Sequence, residues 1–113
     1  MRTVFFLLIA VCSLSVSAAT NDRPLSEKLA IIVNTNDPDS QRIADYYQQK
    51  RNIPDENIIV VELSSKSSAI SAEQFQKVYQ QVQEKTPEHI QFYALAWSKI
   101  HTVACMSITS AFT

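Results

Sequence analysis

Residues 28–63 read KLAIIVNTNDPDSQRIADYYQQKRNIPDENIIVVEL, and this stretch decides the fold. It opens on a short apolar run, residues 28–34, rich in β-branched side chains and closed by turn formers. Apolar residues at consecutive rather than alternate positions suit a strand buried on both faces. The segment NTNDPDS, residues 34–40, is dense turn chemistry. Asp39 or Ser40 is then placed to cap a helix, because its side-chain oxygen can accept an orphan N–H of the first turn. Ile43, Tyr46, Tyr47 and Lys50 fall at i, i+3, i+4 and i+7 and predict one helical face. Lys50 and Arg51 close the helix at the negative end of its dipole. Asn52 stands where glycine usually sits, since Asn tolerates the left-handed conformation, and Pro54 prevents continuation. Residues 57–63 (NIIVVEL) then predict a second buried strand.

Toward the C-terminus the alternation repeats. Ser64 to Ile70 reads as a serine-rich loop, and Ser71 with Gln74 forms a capping-box signature. Phe75, Val78, Tyr79 and Val82 recur at the same helical spacing, with Glu73 and Lys77 paired on the wet side. Thr86 and Pro87 end that helix, and residues 89–97 (HIQFYALAW) predict a third strand. Residues 102–106 read as a fourth, short strand, and Ser107 or Thr109 can start a further helix. The order β-α-β-α-β implies parallel strands joined by right-handed crossovers. The expected fold is therefore α/β: a three- to four-stranded, mostly parallel sheet of βαβαβ type with helices packed on it. Residues 103–113 (VACMSITSAFT) are apolar, with no polar tail and no charge. Chain termini are ordinarily frayed and polar. The domain, residues 28–113, is accordingly expected to be the front part of a longer one, with an incomplete sheet.

Toward the N-terminus, residues 1–19 carry the pattern of a cleavable secretory signal. Arg2 supplies the positive start, residues 4–11 an apolar run too short to span a bilayer about 30 Å thick, and small residues a cleavage site after Ala18 or Ala19. Residues 20–27 form a polar leader. Cys12 follows Val11, where a lipoprotein signal requires a small residue, so lipidation is not expected. The expected location is outside the cytoplasm, periplasmic or secreted.

Composition removes several classes of function. After cleavage nine Lys and Arg face eleven Asp and Glu, a net charge of −2 with no basic stripe to neutralise phosphates, so nucleic acid is not an expected partner. No second long apolar segment follows, so no transmembrane segment is expected in the mature chain. The chain has no glycine, where average usage of about 7% would supply roughly eight. Both the Walker-type loop and the G-x-G-x-x-G fingerprint need glycine for close approach to phosphate, and both are excluded. No cofactor is expected. Cys105 has no intramolecular partner once Cys12 is removed, so no disulfide framework forms, and a buried core thiol is expected.

In an open parallel sheet, ligands bind beyond the carboxyl ends of the strands. Those ends carry Asn34, Thr35, Asn36 and Asp37, then Ser64 and Ser65, then Trp97, Ser98 and Lys99. The candidate ligand-binding residues are Asn34, Asn36, Asp37, Ser64, Trp97 and Lys99. The structural alternative is that Asn, Asp and Ser make the turns that glycine would otherwise make. Asp37 and Asp39 with Asn34 or Asn36 have oxygen atoms for a hard cation. They lack the glycine and distal Glu of a calcium loop, and helix capping explains them more simply, so no metal is expected. Cys105 is the one candidate nucleophile. His101 is no direct partner for it, because four extended residues span roughly 13 Å at about 3.3 Å each. The aromatics Tyr46, Tyr47, Phe75, Tyr79, Phe92 and Tyr93 fall at structural periods, and core packing is expected to explain most of them.

Asn34, Asp37 and Ser40, followed by Tyr46, Tyr47, Lys50, Arg51, Ile53, Pro54 and Asn57, spell N-x-x-D-x-x-S and Y-Y-x-x-K-R-x-I-P-x-x-N. With the later segment YALAWSKIHTVACMSITSAF, they resemble a family of exported bacterial proteins of unknown function, grouped as conserved hypothetical proteins. The resemblance covers about residues 28–113. It implies export and an α/β fold, and it supplies no catalytic residues to carry over. It also implies a longer chain, continuing past the S-A-F segment. Three functional classes follow: an exported α/β protein with no assignable activity, a hydrolase-like enzyme using a strand-end nucleophile such as Cys105, and a non-catalytic interaction module of the cell envelope.

Overall fold

The computed structural model describes residues 23–64 and 66–112, so the expected signal peptide, the start of the leader, Ser65 and Thr113 lie outside it. The first strand of the sequence pattern, β1 (Leu29–Asn34), is the centre of a three-stranded parallel sheet. β2 (Ile58–Val61) pairs with one of its edges, Ile31 facing Ile58. β4 (Phe92–Leu95) pairs with the other, Leu29 facing Phe92. Because β1 has a neighbour on each side and a helix on each face, it is apolar at every position up to Asn34. Ile31 and Val33 pack with Ala44, Ile53 and Ala96 on one face. Ala30 and Ile32 pack with Ile59, Val61, Phe75, Val78 and Val82 on the other. Each fully buried aliphatic side chain stabilises the fold by about 1.5–3 kcal/mol.

The helices joining these strands are α2 (Pro38–Arg51) and α3 (Ala72–Lys85), one on each face. The chain therefore builds outward from β1 to β2, then returns to the far side of β1 to lay down β4. The crevice between β1 and β4 at their carboxyl ends is the topological switch point, where open α/β sheets ordinarily hold their ligands. A second, small sheet lies beside the first. In it β3 (Ala69–Ile70) pairs in parallel with β5 (Thr102–Val103), and β5 turns back antiparallel into β6 (Met106–Ser107). Ser107 then caps the single-turn helix α4 (Ile108–Ala111), its hydroxyl accepting from Ser110 N. Ile70, Val103 and Ile108 join the α3-side core, and Phe112 meets Phe75 edge-on at 5.1 Å.

The capping chemistry explains both long helices. Ser71 and Gln74 form the full capping box of α3. At the end of α2, Asn52 takes φ 51° and ψ 48°, the left-handed conformation that ends a helix in a chain without glycine.

Several expectations are corrected. The cap of α2 is Asp37, not Asp39 or Ser40, because Pro38 occupies the first helical position, where its fixed φ is favourable and its missing N–H costs nothing. The buried face of α2 carries Ser40 and Ala44 with Tyr47 half-buried, while Tyr46 is 65% exposed and Ile43 lies outside the core too. Small residues let the helix lie close on the sheet. Tyr46 instead stacks under Lys50, whose Nζ sits 5.6 Å from its ring centroid. The polar leader ends in a one-turn helix, α1 (Leu25–Lys28), and the serine-rich loop contains β3. The third strand is shorter than its apolar run, and the expected fourth strand is a hairpin rather than one extended piece. Phe92, expected in the core, is 49% exposed at the sheet edge.

Candidate functional site at the carboxyl edge of the sheet

The turn after β1 carries three of the expected ligand residues, Asn34, Asn36 and Asp37, and the side chains of Asn34 and Asp37 are buried. Asn34 is fully buried. Its Oδ1 accepts from Leu63 N at 3.0 Å and from Asn36 N at 3.2 Å, while its Nδ2 donates to Leu63 O at 3.0 Å. One side chain thus replaces the ladder where β2 has ended, and it ties the two loops together. Thr35 N extends the same join by donating to Val61 O. Asn36 lies above it, exposed, with its Nδ2 3.4 Å from Leu63 O.

Asp37 is the second clamp, 1% exposed. Its Oδ1 accepts from Asp39 N at 3.1 Å, the capping bond of α2. Its Oδ2 accepts from Ser98 Oγ at 2.6 Å and Ser98 N at 3.2 Å, reaching across the switch point to the loop after β4. The Ser98 hydroxyl, donating to the carboxylate, holds the Asp37 pKa below its ordinary value of 3.8; burial pushes the other way, and the backbone donors of Ser98, Asp39 and Ser40 add to the lowering. Ser40 completes the set, its Oγ accepting from Asn34 N at 2.9 Å. The N-x-x-D-x-x-S pattern is therefore one hydrogen-bonded unit holding the three strand ends together.

This arrangement decides what the edge can do. The N-terminus of α2 is where an anion would sit in a phosphate-binding α/β protein. Here the protein's own carboxylate fills that place. Asn34 and Asp37 are brought together but have their oxygens engaged by the chain. Ser64 and Lys99 are exposed on the neighbouring loops. Trp97 is half-buried, and its indole N–H is buried without an acceptor among the described residues. Among those residues no group of three or more His, Cys, Asp or Glu could hold a metal ion.

Cys105 is not a core thiol. It is exposed at the tip of the β5–β6 hairpin, where Ala104 takes a left-handed φ of 49° and turns the chain outward. It borders an apolar groove of about 360 Å³ lined by Ala72, Phe75, Gln76, Val103 and Met106, and among the described residues no general base lines that groove. His89 lies elsewhere, its Nε2 3.1 Å from Asn57 Oδ1.

Ser40 and Asn57 belong to the motif and Ser98 to a strand-end loop, but the tertiary hydrogen bonds they make are not visible in the sequence. Asn57 is fully buried beneath β1, its Nδ2 donating to Glu27 O at 2.9 Å and Leu29 O at 3.0 Å. The signal available was the absence of glycine, which forces side chains to satisfy turn backbones. No protein-family model, no curated protein and no solved structure matches this chain.

Proposed function

We propose that the chain is an exported, non-catalytic interaction module, a member of the family of exported α/β proteins that its motif residues resemble. The observation that carries the reading is the division of labour between its polar and apolar groups. Asn34, Asp37, Ser40 and Asn57 are buried and engaged with the chain itself. Large apolar side chains face outward beside exposed polar ones such as Ser64 and Lys99: Phe92 at the β4 edge and Met106, 53% exposed, beside the hairpin groove. A surface of this kind recognises another polypeptide by burial and backbone pairing. Among the described residues no helix is long and apolar enough to cross a membrane.

The hydrolase reading with Cys105 as nucleophile has one observation in its favour, the exposure of the thiol. The lining of its groove supplies nothing to activate it.

Two measurements test the proposal. The intact mass of protein recovered from expressing bacteria is expected to show a chain beginning at Ala19 or Thr20; a chain retaining Met1 removes the export half. Isotope-labelled protein titrated with unlabelled envelope extract is expected to lose amide signals over residues 92–95 and 103–106. Losses confined to residues 34–37 and 64 would place recognition on the polar edge and overturn the interaction half.

A further inference from the structure

The Y-Y-x-x-K-R residues of α2 sit at the opposite end of that helix from Asp37. Residues four apart on a helix are neighbours. Lys50 therefore lies over Tyr46, and Arg51 lies over Tyr47 with its guanidinium carbon 5.6 Å from the ring centroid. The two pairs differ in setting. Tyr46 is exposed, whereas Tyr47 is half-buried against the sheet. Tyr47 and Arg51 form one wall of a cavity of about 170 Å³ at the amino edge of the sheet, and Leu25, Ser26 and Leu29 form the other.

The second wall is held from behind. Asn57 Nδ2 donates to Glu27 O at 2.9 Å and to Leu29 O at 3.0 Å, and Gln91 N donates to Lys28 O at 2.8 Å. Successive carbonyls are thus tied to two other segments, and the junction of α1 with β1 is set before any ligand arrives. The polar groups of the cavity are unspent. Among the described residues no carboxylate pairs with Arg51, and no hydrogen bond engages the side chain of Arg51, Tyr47 or Ser26. Glu27 is paired with Arg23, Asp55 accepts from Gln48, and no acid among those residues lines the cavity.

A guanidinium carries five N–H donors in one plane, and its fork matches a carboxylate. The ring of Tyr47 restrains it, which lowers the entropy lost on binding. The negative end of the α2 dipole would oppose an anion, and Lys50 and Arg51 offset it there. Leu25, 67% exposed, and Leu29 offer an apolar wall to whatever the carboxylate carries. We infer that this cavity binds a small carboxylate with a short branched or aromatic tail. The carboxylate sits on Arg51, with the hydroxyl of Ser26 or Tyr47 as a further donor, and the tail lies against the two leucines. Volume sets the size, since a cavity of about 150 Å³ holds one benzene ring. A free acid and the C-terminal residue of a polypeptide both present this group. The site shares no residue with the β4 edge or the hairpin, so it stands or falls apart from the interaction reading.

The test is a titration of the isotope-labelled full chain with benzoate and 3-methylbutanoate, followed by NMR at the amides of residues 25–29 and 47–51 and at Arg51 Nε–H. Saturable shifts confined to these groups are expected, with a Kd of about 1–10 mM, as suits a ligand of under about ten heavy atoms. Benzamide, which lacks the charge, should bind at least about tenfold more weakly than benzoate. Arg51→Gln should raise the Kd of both acids at least about tenfold, and Arg51→Lys, which keeps the charge and loses the fork, at least about threefold. Circular dichroism melts check that these exposed substitutions leave the fold intact, and the benzamide comparison needs no variant. N-acetyl-glycyl-leucine separates the two sources: binding at least about tenfold tighter than 3-methylbutanoate marks a polypeptide terminus, and anything less marks a free acid. No saturable shift at Arg51 up to about 50 mM of either acid overturns the site. So does equal binding of benzoate and benzamide, or an Arg51→Gln variant that binds the acids as the parent does.

Discussion

Removing the Asp37 carboxylate is the most informative perturbation of this fold. Asp37→Ala deletes the cap of α2, worth about 1 kcal/mol in typical caps. It also strips Ser98 N and Ser98 Oγ of their acceptor across the switch point. A part-buried donor left without a partner costs about 1–3 kcal/mol, with water relieving some of it at a loop. Together the loss comes to about 2–4 kcal/mol, against a total stability for small domains of about 5–15 kcal/mol. For a domain of this size that lowers Tm by about 10–25 °C. The assay is urea unfolding followed by circular dichroism, with Ser98→Ala and the double variant completing a cycle. Ser98→Ala alone should cost less, about 1–2 kcal/mol, because Asp37 keeps its bonds to Asp39 N and to the main chain of residue 98. The double variant should cost less than the two singles added, by about 0.5–1.5 kcal/mol. If Asp37→Ala melts within about 2 °C of the parent, or the cycle shows no coupling, the clamp is not what holds the strand ends together.

Acid should reveal the same carboxylate. Its folded pKa is depressed relative to the unfolded chain, so its contribution is fully present above the unfolded value of 3.8 and is lost as pH falls through the folded value. Asp37→Asn should therefore flatten the acid limb of a stability-versus-pH curve below about pH 4, and an unchanged limb would contradict the assignment. Asn34→Ala should cost about 2–4 kcal/mol and speed amide exchange at Leu63 above all other residues of that loop, read by NMR. On α2, Tyr46→Ala should change stability by no more than about 0.5 kcal/mol, whereas Ala44→Leu should cost about 1–3 kcal/mol by overpacking against the sheet. Equal effects at the two positions, measured by urea titration, would mean that the buried face of α2 is misassigned.

Particular elements show how much was legible in the chain. Residues 29–33 are apolar without alternation, and that pattern suits a strand covered on both faces; the sheet and its parallel connections follow from it. Ser71 with Gln74, and Asn52 before Pro54, state their roles outright because a cap is a local event between neighbours. The face of α2 was not legible. Ile43 and Tyr46 keep the helical period as well as Ser40 and Ala44 do, and only the approach of the sheet selects the smaller pair. Cys105 was misplaced for a similar reason: an apolar neighbourhood in sequence does not reveal a hairpin whose turn points its tip at water.

The N-x-x-D-x-x-S residues sit between these cases. Their types follow from turn-making and helix capping in a chain without glycine, and the sequence alone determined that they would lie where β1 gives way to α2. Which groups they would meet was decided by the tertiary structure. The acceptor for Ser98 is 61 positions away in the chain, and the partner of Asn34 is 29 away. A hydrogen bond of that span exists only once β1, β2 and β4 have been laid side by side. Periodicity and capping are local and survive in one dimension; the pairing of a carboxylate with a distant hydroxyl needs the third.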